Sequence, residues 1–157
     1  MEEPESGGLI QVAGIIDSAE ARMLVESGVT HLGFPLRLTV HKEDISEEEA
    51  GKIIRSLRPP HYGVVITYLK RADDIMNFCH QLGARMVQLH GDVSSDELAN
   101  LRKLDSKLFI IKSLILKDNN LSELEVQLSS FCPYIDAFIT DTYDPRNRSM
   151  RRYRKDA

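Results

Sequence analysis

Four groups of polar residues each follow an apolar run in this chain: Asp17, the stretch from Arg37 to Lys42, His90-Gly91-Asp92, and Asp141. Together they offer carboxylates, imidazoles and cations, the side chains that move protons and hold anions. A histidine of ordinary pKa, near ~6.5, exchanges a proton around neutrality, which draws attention to His41 and His90. An aspartate directly after a strand also has a purely structural use as a turn or helix cap, so Asp141 is open to both readings. The cysteines, Cys79 and Cys132, form no CxxC pair, and no histidine cluster has ligand spacing. Neither a disulfide framework nor a metal site is expected. Cys79 shares helical spacing with Ile75, Phe78 and Leu82 and reads as a core thiol.

Six strand-then-helix units are needed to position these groups. Leu9 to Ile15 is a mostly apolar run of strand length, followed by Asp17-Ser18 as a helix N-cap and an amphipathic segment through Val25 that stops at Gly28. Thr30 to Phe34 is the second strand. Ser46-Glu47-Glu48-Glu49 then opens a helix as a capping box, and that helix must end before Pro59-Pro60. Gly63 to Thr67 is the third strand, with a helix from Arg71 to Leu82 stopped by Gly83. Arg85 to Leu89 is the fourth, and its helix is capped at Ser94 or Ser95. Leu108 to Lys112 is the fifth, Leu121 to Phe131 its helix, and Ile135 to Thr140 the sixth.

Apolar strands alternating with amphipathic helices call for an α/β fold with a parallel sheet. An open nucleotide-binding sheet would carry a GxGxxG or a P-loop after its first strand, but the residues there are Gly14-Ile15-Ile16-Asp17-Ser18. Polar residues instead gather after several different strands, which is how barrels of the TIM type build their sites. The expected fold is an incomplete TIM (β/α)8-type barrel with about six parallel strands.

A length of 157 residues, 42% apolar and 28% charged, suits one globular domain. Its net charge of −4 is unevenly spread: residues 146 to 157 hold six of the 20 Lys and Arg but one of the 24 Asp and Glu. The acidic remainder argues against nucleic-acid or membrane binding, since both need a basic face. Three segments are expected: a disordered acidic start (1–8), a partial barrel (9–145) and a basic tail (146–157). The start has no apolar run of the secretory kind and no stretch approaches a membrane span, so the reading is cytoplasmic.

At the strand ends the sequence resembles phosphoribosylanthranilate isomerase, the TIM-barrel enzyme of tryptophan biosynthesis. Val87-Gln88-Leu89-His90-Gly91-Asp92 is similar to that family's VQLHG(D/E) segment. Leu32-Gly33-Phe34, Gly63-Val64-Val65-Ile66, Ile110-Ile111-Lys112 and Asp141-Thr142 match further strands in order and spacing. The resemblance implies an Amadori rearrangement of a small phosphorylated sugar-amine, N-(5'-phosphoribosyl)anthranilate, with no cofactor. In it an acid opens the ribose ring and a base removes the C2 proton. It puts the general acid on Asp141. The family's general base, the Cys of a KICGI motif, falls on Ala13, and the motif's Lys on Gln11. It makes Lys42, or Arg37 in a shifted alignment, the cation for the substrate's carboxylate. His90 and Asp92 are further substrate contacts, and His41 or His90 is a substitute base. Loss of the base predicts a rate lower by on the order of 10²–10⁴. A different ribosyl-phosphate isomerase and a non-catalytic metabolite-binding relative are the alternatives.

Past Pro145 the family's Gly-rich loop is replaced by basic residues. Codons chosen for Arg146 to Ala157 and read from the second base yield E-T-G-A-C-G-A-T-G-K-T, close to that loop. The tail is therefore expected to be the product of a one-base frameshift, and the chain to be a truncated member. The phosphate site of such barrels follows strands seven and eight. A six-stranded chain is accordingly expected to bind phosphate poorly, to have little or no activity, and to self-associate through open sheet edges.

Overall fold

Strand and helix alternate from β1 (Gln11–Ala13) through α1 (Ser18–Glu26), β2 (His31–Pro35), α2 (Glu47–Ser56), β3 (Tyr62–Thr67), α3 (Ala72–Leu82), β4 (Met86–Leu89), α4 (Ser95–Leu104), β5 (Phe109–Leu116) and α5 (Leu121–Phe131) to β6 (Ala137–Thr142). This computed structural model describes residues 9–39 and 42–142. The expectations for residues 1–8, for His41 and for the 146–157 tail lie outside the described residues.

Local chemistry sets the helix ends. Asp17 accepts the Glu20 amide at 2.8 Å, and Ser46 and Ser94 accept those of Glu49 and Glu97, each at 3.2 Å. Gly83 closes α3 in the left-handed conformation, φ 73°. The start of α3 has no side-chain cap of its own. Its Ala72 amide donates instead to the Glu97 carboxylate of α4, at 2.6 Å.

All six strands are parallel and paired in chain order, β1-β2-β3-β4-β5-β6. A doubly wound sheet reverses its order at a switch point. An unreversed order, with crossovers of one hand, sets every helix on the same face and lets the sheet curl. The curl is registered by Gln11 Nε2 donating to Gln88 Oε1 at 2.8 Å, from β1 to β4. Three strand spacings in a flat sheet would hold those strands about 14 Å apart. The fold is a six-stranded partial barrel.

Strand alternation gives this sheet two unlike faces. Leu32, Phe34, Val65, Val87, Leu89 and Ile110 point to the helices and form one core with Ile53, Ile75, Phe78, Leu98 and Leu101. The concave face holds a second, smaller core of Val64, Ile66, Met86 and Ile111. Moving toward the strand C-termini, that face turns polar: Gln88, Ser113, His90 and Asp141 follow the apolar layer.

Three strands differ from the expectation. Pairing of β1 with β2 covers only Gln11–Ala13, because at Gly14 the backbone turns (φ 88°) and the Gly14 and Ile15 amides both go to the Gly33 carbonyl. β5 extends four residues past Lys112, to Leu116, because β6 continues to pair with it there. For the same reason β6 runs to Thr142, so Asp141 lies within the strand and not after it.

Candidate active site

Side chains on the concave face meet in a hydrogen-bonded chain that crosses the sheet. Gln11 donates to Gln88 (2.8 Å), Gln88 Nε2 donates to Ser113 Oγ (3.1 Å), and Ser113 Oγ lies 3.0 Å from His90 Nδ1. The other ring nitrogen, His90 Nε2, is 3.7 Å from Asp141 Oδ2. Four strands, β1, β4, β5 and β6, thus converge on one polar line. Gln88 and Ser113 are 7% and 2% exposed, so their mutual pairing matters: a buried polar group without a partner costs about 1–3 kcal/mol. Asp141, with its side chain 54% exposed, forms the open end of the line, and His90, at 22%, stands just inside it.

His90 is held from its other sides too. The Tyr68 ring meets it edge-on at 5.0 Å. The next residue, Gly91, lies against the β3–α3 loop, where a Cβ would stand 3.1 Å from the Tyr68 carbonyl oxygen. A Cβ there would press on the Tyr68 backbone, so glycine eases the close approach of the two loops.

The remaining sequence candidates do not join this line. Arg37 is committed elsewhere: at φ 52° its backbone turns, its guanidinium pairs with Glu47 at 2.8 Å, and it lies 3.8 Å over the Phe78 ring. That hydrogen bond, with the Arg37 charge, holds the Glu47 carboxyl below the ordinary carboxylate range. These contacts place the Arg37 side chain between α2 and α3. Lys42 is exposed in the β2–α2 loop, and Asp92 is exposed just after β4. Ala13 lies on the concave face in register with Gly33. Its methyl offers no proton to exchange. Lys112, by strand alternation, points to the helix side, where burial pushes its ammonium below the ordinary lysine range and the Asp92 charge opposes that shift.

Ser113 and the bridging role of Gln88 escaped the sequence reading. Ser113 follows the expected end of its strand, so only the longer β5 brings it to the concave face. Gln88 did stand inside a recognised motif, and its polarity amid Met86, Val87 and Leu89 was the available signal. Among the described residues, no group of three or more His, Cys, Asp or Glu is placed to hold a metal ion.

The arrangement supplies an imidazole and a carboxylate aimed at one spot at the C-terminal mouth of a partial barrel. Such a pair can pass protons to and from a substrate lying across the strand ends. No family model matches the chain. N-(5'-phosphoribosyl)anthranilate isomerase 2 of Methanosarcina mazei is 31% identical over 139 residues, covering 88% of this chain and 60% of that protein. The N-(5'-phosphoribosyl)anthranilate isomerase of Trichlorobacter lovleyi is 32% identical over 113 residues, 69% of this chain and 53% of that protein. The chain therefore spans between half and two thirds of the length of these curated relatives. Among solved structures, phosphoribosyl anthranilate isomerase from Thermotoga maritima superposes with a TM-score of 0.71 at 24% identity, covering 87% of this chain and 62% of that one. A phosphoribosyl anthranilate isomerase in complex with reduced 1-(o-carboxyphenylamino)-1-deoxyribulose 5-phosphate gives 0.70 at 23%, covering 93% and 70%. The structural matches carry the barrel fold. With the sequence relatives and the strand-end motifs beside them, the chain belongs to the phosphoribosylanthranilate isomerase family.

Proposed function

We propose that this site is built for the Amadori rearrangement of N-(5'-phosphoribosyl)anthranilate, an aldose-to-ketose isomerisation in tryptophan biosynthesis. The observation that carries the reading is the approach of His90 and Asp141 to 3.7 Å at the polar end of the concave face, each within a motif of the family. Asp141 occupies the position of the family's general acid. Lys42 is the cation we assign to the substrate's carboxylate, and Asp92 lines the same rim. The relative solved with a reduced deoxyribulose phosphate supports a small phosphorylated substrate. Ala13 and Gln11 favour a second reading, a different ribosyl-phosphate isomerase, because they replace the two polar residues of the first-strand motif.

Incubating the chain with N-(5'-phosphoribosyl)anthranilate, and following loss of the ribosylamine and appearance of the ketose, tests the assignment. Slow conversion that Asp141→Asn removes is the expected result, with Ala13→Cys raising the rate. Conversion of a non-aromatic ribosylamine phosphate in preference would favour the second reading, and no conversion of either would leave a metabolite-binding relative.

The reading includes a cytoplasmic location, supported by the free thiols Cys79 and Cys132. No helix among the described residues is long and apolar enough to cross a membrane. Self-association through the sheet edges β1 and β6 is also part of it. Leu9 and Ile10 by one edge, and Ile139 in the other, are exposed. Light scattering across a concentration series would read it.

A further inference from the structure

Helices α2 and α3 are tied together by side chains, and α1 and α2 are not. Arg55 of α2 donates to the Gln81 carbonyl of α3 at 3.1 Å, and Gln81 Nε2 donates back to Glu47 at 3.0 Å. Among the described residues no hydrogen bond or ion pair joins α1 to α2. The face that α1 turns toward α2 carries Ser18, Ala21, Arg22 and Val25 at helical spacing, and the small side chains leave a groove of about 500 Å³ between the helices. Its floor is the margin of the main core: Ala21 and Ile53 are 4% and 5% exposed, and Val25 and Leu57 pack against them from the sides. Its rim is cationic. Arg22 has no hydrogen bond or ion pair among the described residues, and Arg58 uses only Nη1, on the Arg55 and Leu57 carbonyls at 2.9 and 2.8 Å. That leaves the Nε and Nη2 hydrogens of Arg58 without an acceptor among the described residues. At one end His61 donates Nδ1–H to the Val29 carbonyl at 2.8 Å, which fixes the loop after α2. The chain has 24 acidic side chains against 20 basic ones, yet no carboxylate lines this groove.

We infer that the α1–α2 groove is a binding site for a small carboxylate carried on a flat apolar body. The apolar part displaces water from Ala21, Val25, Ile53 and Leu57, while the carboxylate meets the unpaired guanidinium groups of Arg22 and Arg58 at the rim. A guanidinium presents parallel N–H groups that match the two oxygens of a carboxylate. An inorganic anion would leave the floor wet, and a neutral apolar compound would leave the rim unused. The volume lies within the roughly 300–1,000 Å³ of small-molecule pockets. This groove is on the helix side of the sheet, whereas His90 and Asp141 meet on the concave side. The inference therefore stands apart from the isomerase reading.

The test is a titration of the intact, isotope-labelled chain with naphthalene-2-carboxylate, followed by NMR of the methyl groups. Saturable shifts are expected at Ala21, Val25, Ile53 and Leu57, with a Kd of about 1 mM or tighter. Naphthalene-2-carboxamide has the same shape without the charge and is expected to bind about 10-fold more weakly or less. Inorganic phosphate is expected to move none of these methyls. Arg22→Gln, at an exposed position with no partner to lose, is expected to weaken binding of the carboxylate about 3–10-fold, and Arg58→Gln to do the same. Because Arg58 also holds the end of α2, Arg22→Gln is the deciding variant, with circular dichroism to show that its fold is unchanged. Equal affinity for acid and amide, or undiminished binding in Arg22→Gln, overturns the proposal. So do shifts confined to Ile10 and Ile139 at the sheet edges or to residues 146–157, and so does the lack of any saturable shift.

Discussion

Gly33 on β2 lies so close to Ala13 on β1 that an ideal Cβ at Gly33 would stand 3.0 Å from the Ala13 Cβ and 2.9 Å from Ile66 Cδ1. The side chain at position 13 thus occupies space that glycine leaves open. Gly33→Ala is predicted to destabilise the fold by about 1–3 kcal/mol through overpacking, read as a lower urea midpoint. Adding Ala13→Gly should recover only part of it, because Ile66 and the Ala13 backbone remain in the way.

Gln88 joins Gln11 to Ser113, so its loss breaks both bonds and leaves Ser113 with His90 and Gln11 with water. Gln88→Leu is predicted to cost about 1–3 kcal/mol, and Gln11→Ala no more than about 1 kcal/mol, since Gln11 keeps access to water. A double-mutant cycle in urea should show non-additive costs; purely additive ones would mean that the bond from β1 to β4 contributes nothing.

The two thiols should react at very different rates. Burial, aided by the Asp105 charge, pushes the Cys79 thiol up to about 12, while Cys132 is exposed. A chromogenic disulfide reagent at neutral pH is predicted to titrate one thiol quickly and the second only on unfolding. Rapid modification of both would show that the helix-side core opens readily.

Lys112 makes stability rise with pH in its titration range. Burial lowers its folded-state pKa, so between that value and the unfolded one near ~10.4 the unfolded chain binds more protons. Its contribution is unfavourable below the folded pKa and is relieved as pH climbs through the window. Cys79 works oppositely above its unfolded pKa, since its raised folded value costs stability as pH increases. Lys112→Met is predicted to stabilise the protein at neutral pH and to flatten its alkaline pH dependence, as measured by thermal melts.

Most of the fold can be read from local chemistry. Asp17, Ser46, Ser94 and Gly83 mark helix ends because capping involves residues three or four positions apart. Strand limits are less legible, since β5 and β6 lengthen each other by pairing and neither sequence alone records its partner. The site splits in the same way. His90 and Asp141 stand in recognisable motifs, whereas Ser113 becomes a neighbour of His90 only when strand alternation and sheet curvature combine. The contacts of Arg37 with Glu47 and Phe78 were equally hidden, since its loop position does not record which helices lie within reach of its side chain.

The carboxylate of Glu97 that caps α3 has a consequence for how the chain acquires its structure. In a capping box the acid would turn back to its own helix start, but here it leaves α4 to hold the Ala72 amide of the preceding unit. During synthesis that amide has to wait for a residue 25 positions later before it is satisfied. The third and fourth β/α units are thereby bound into one cooperative block, and hydrogen exchange at the start of α3 should report the opening of α4.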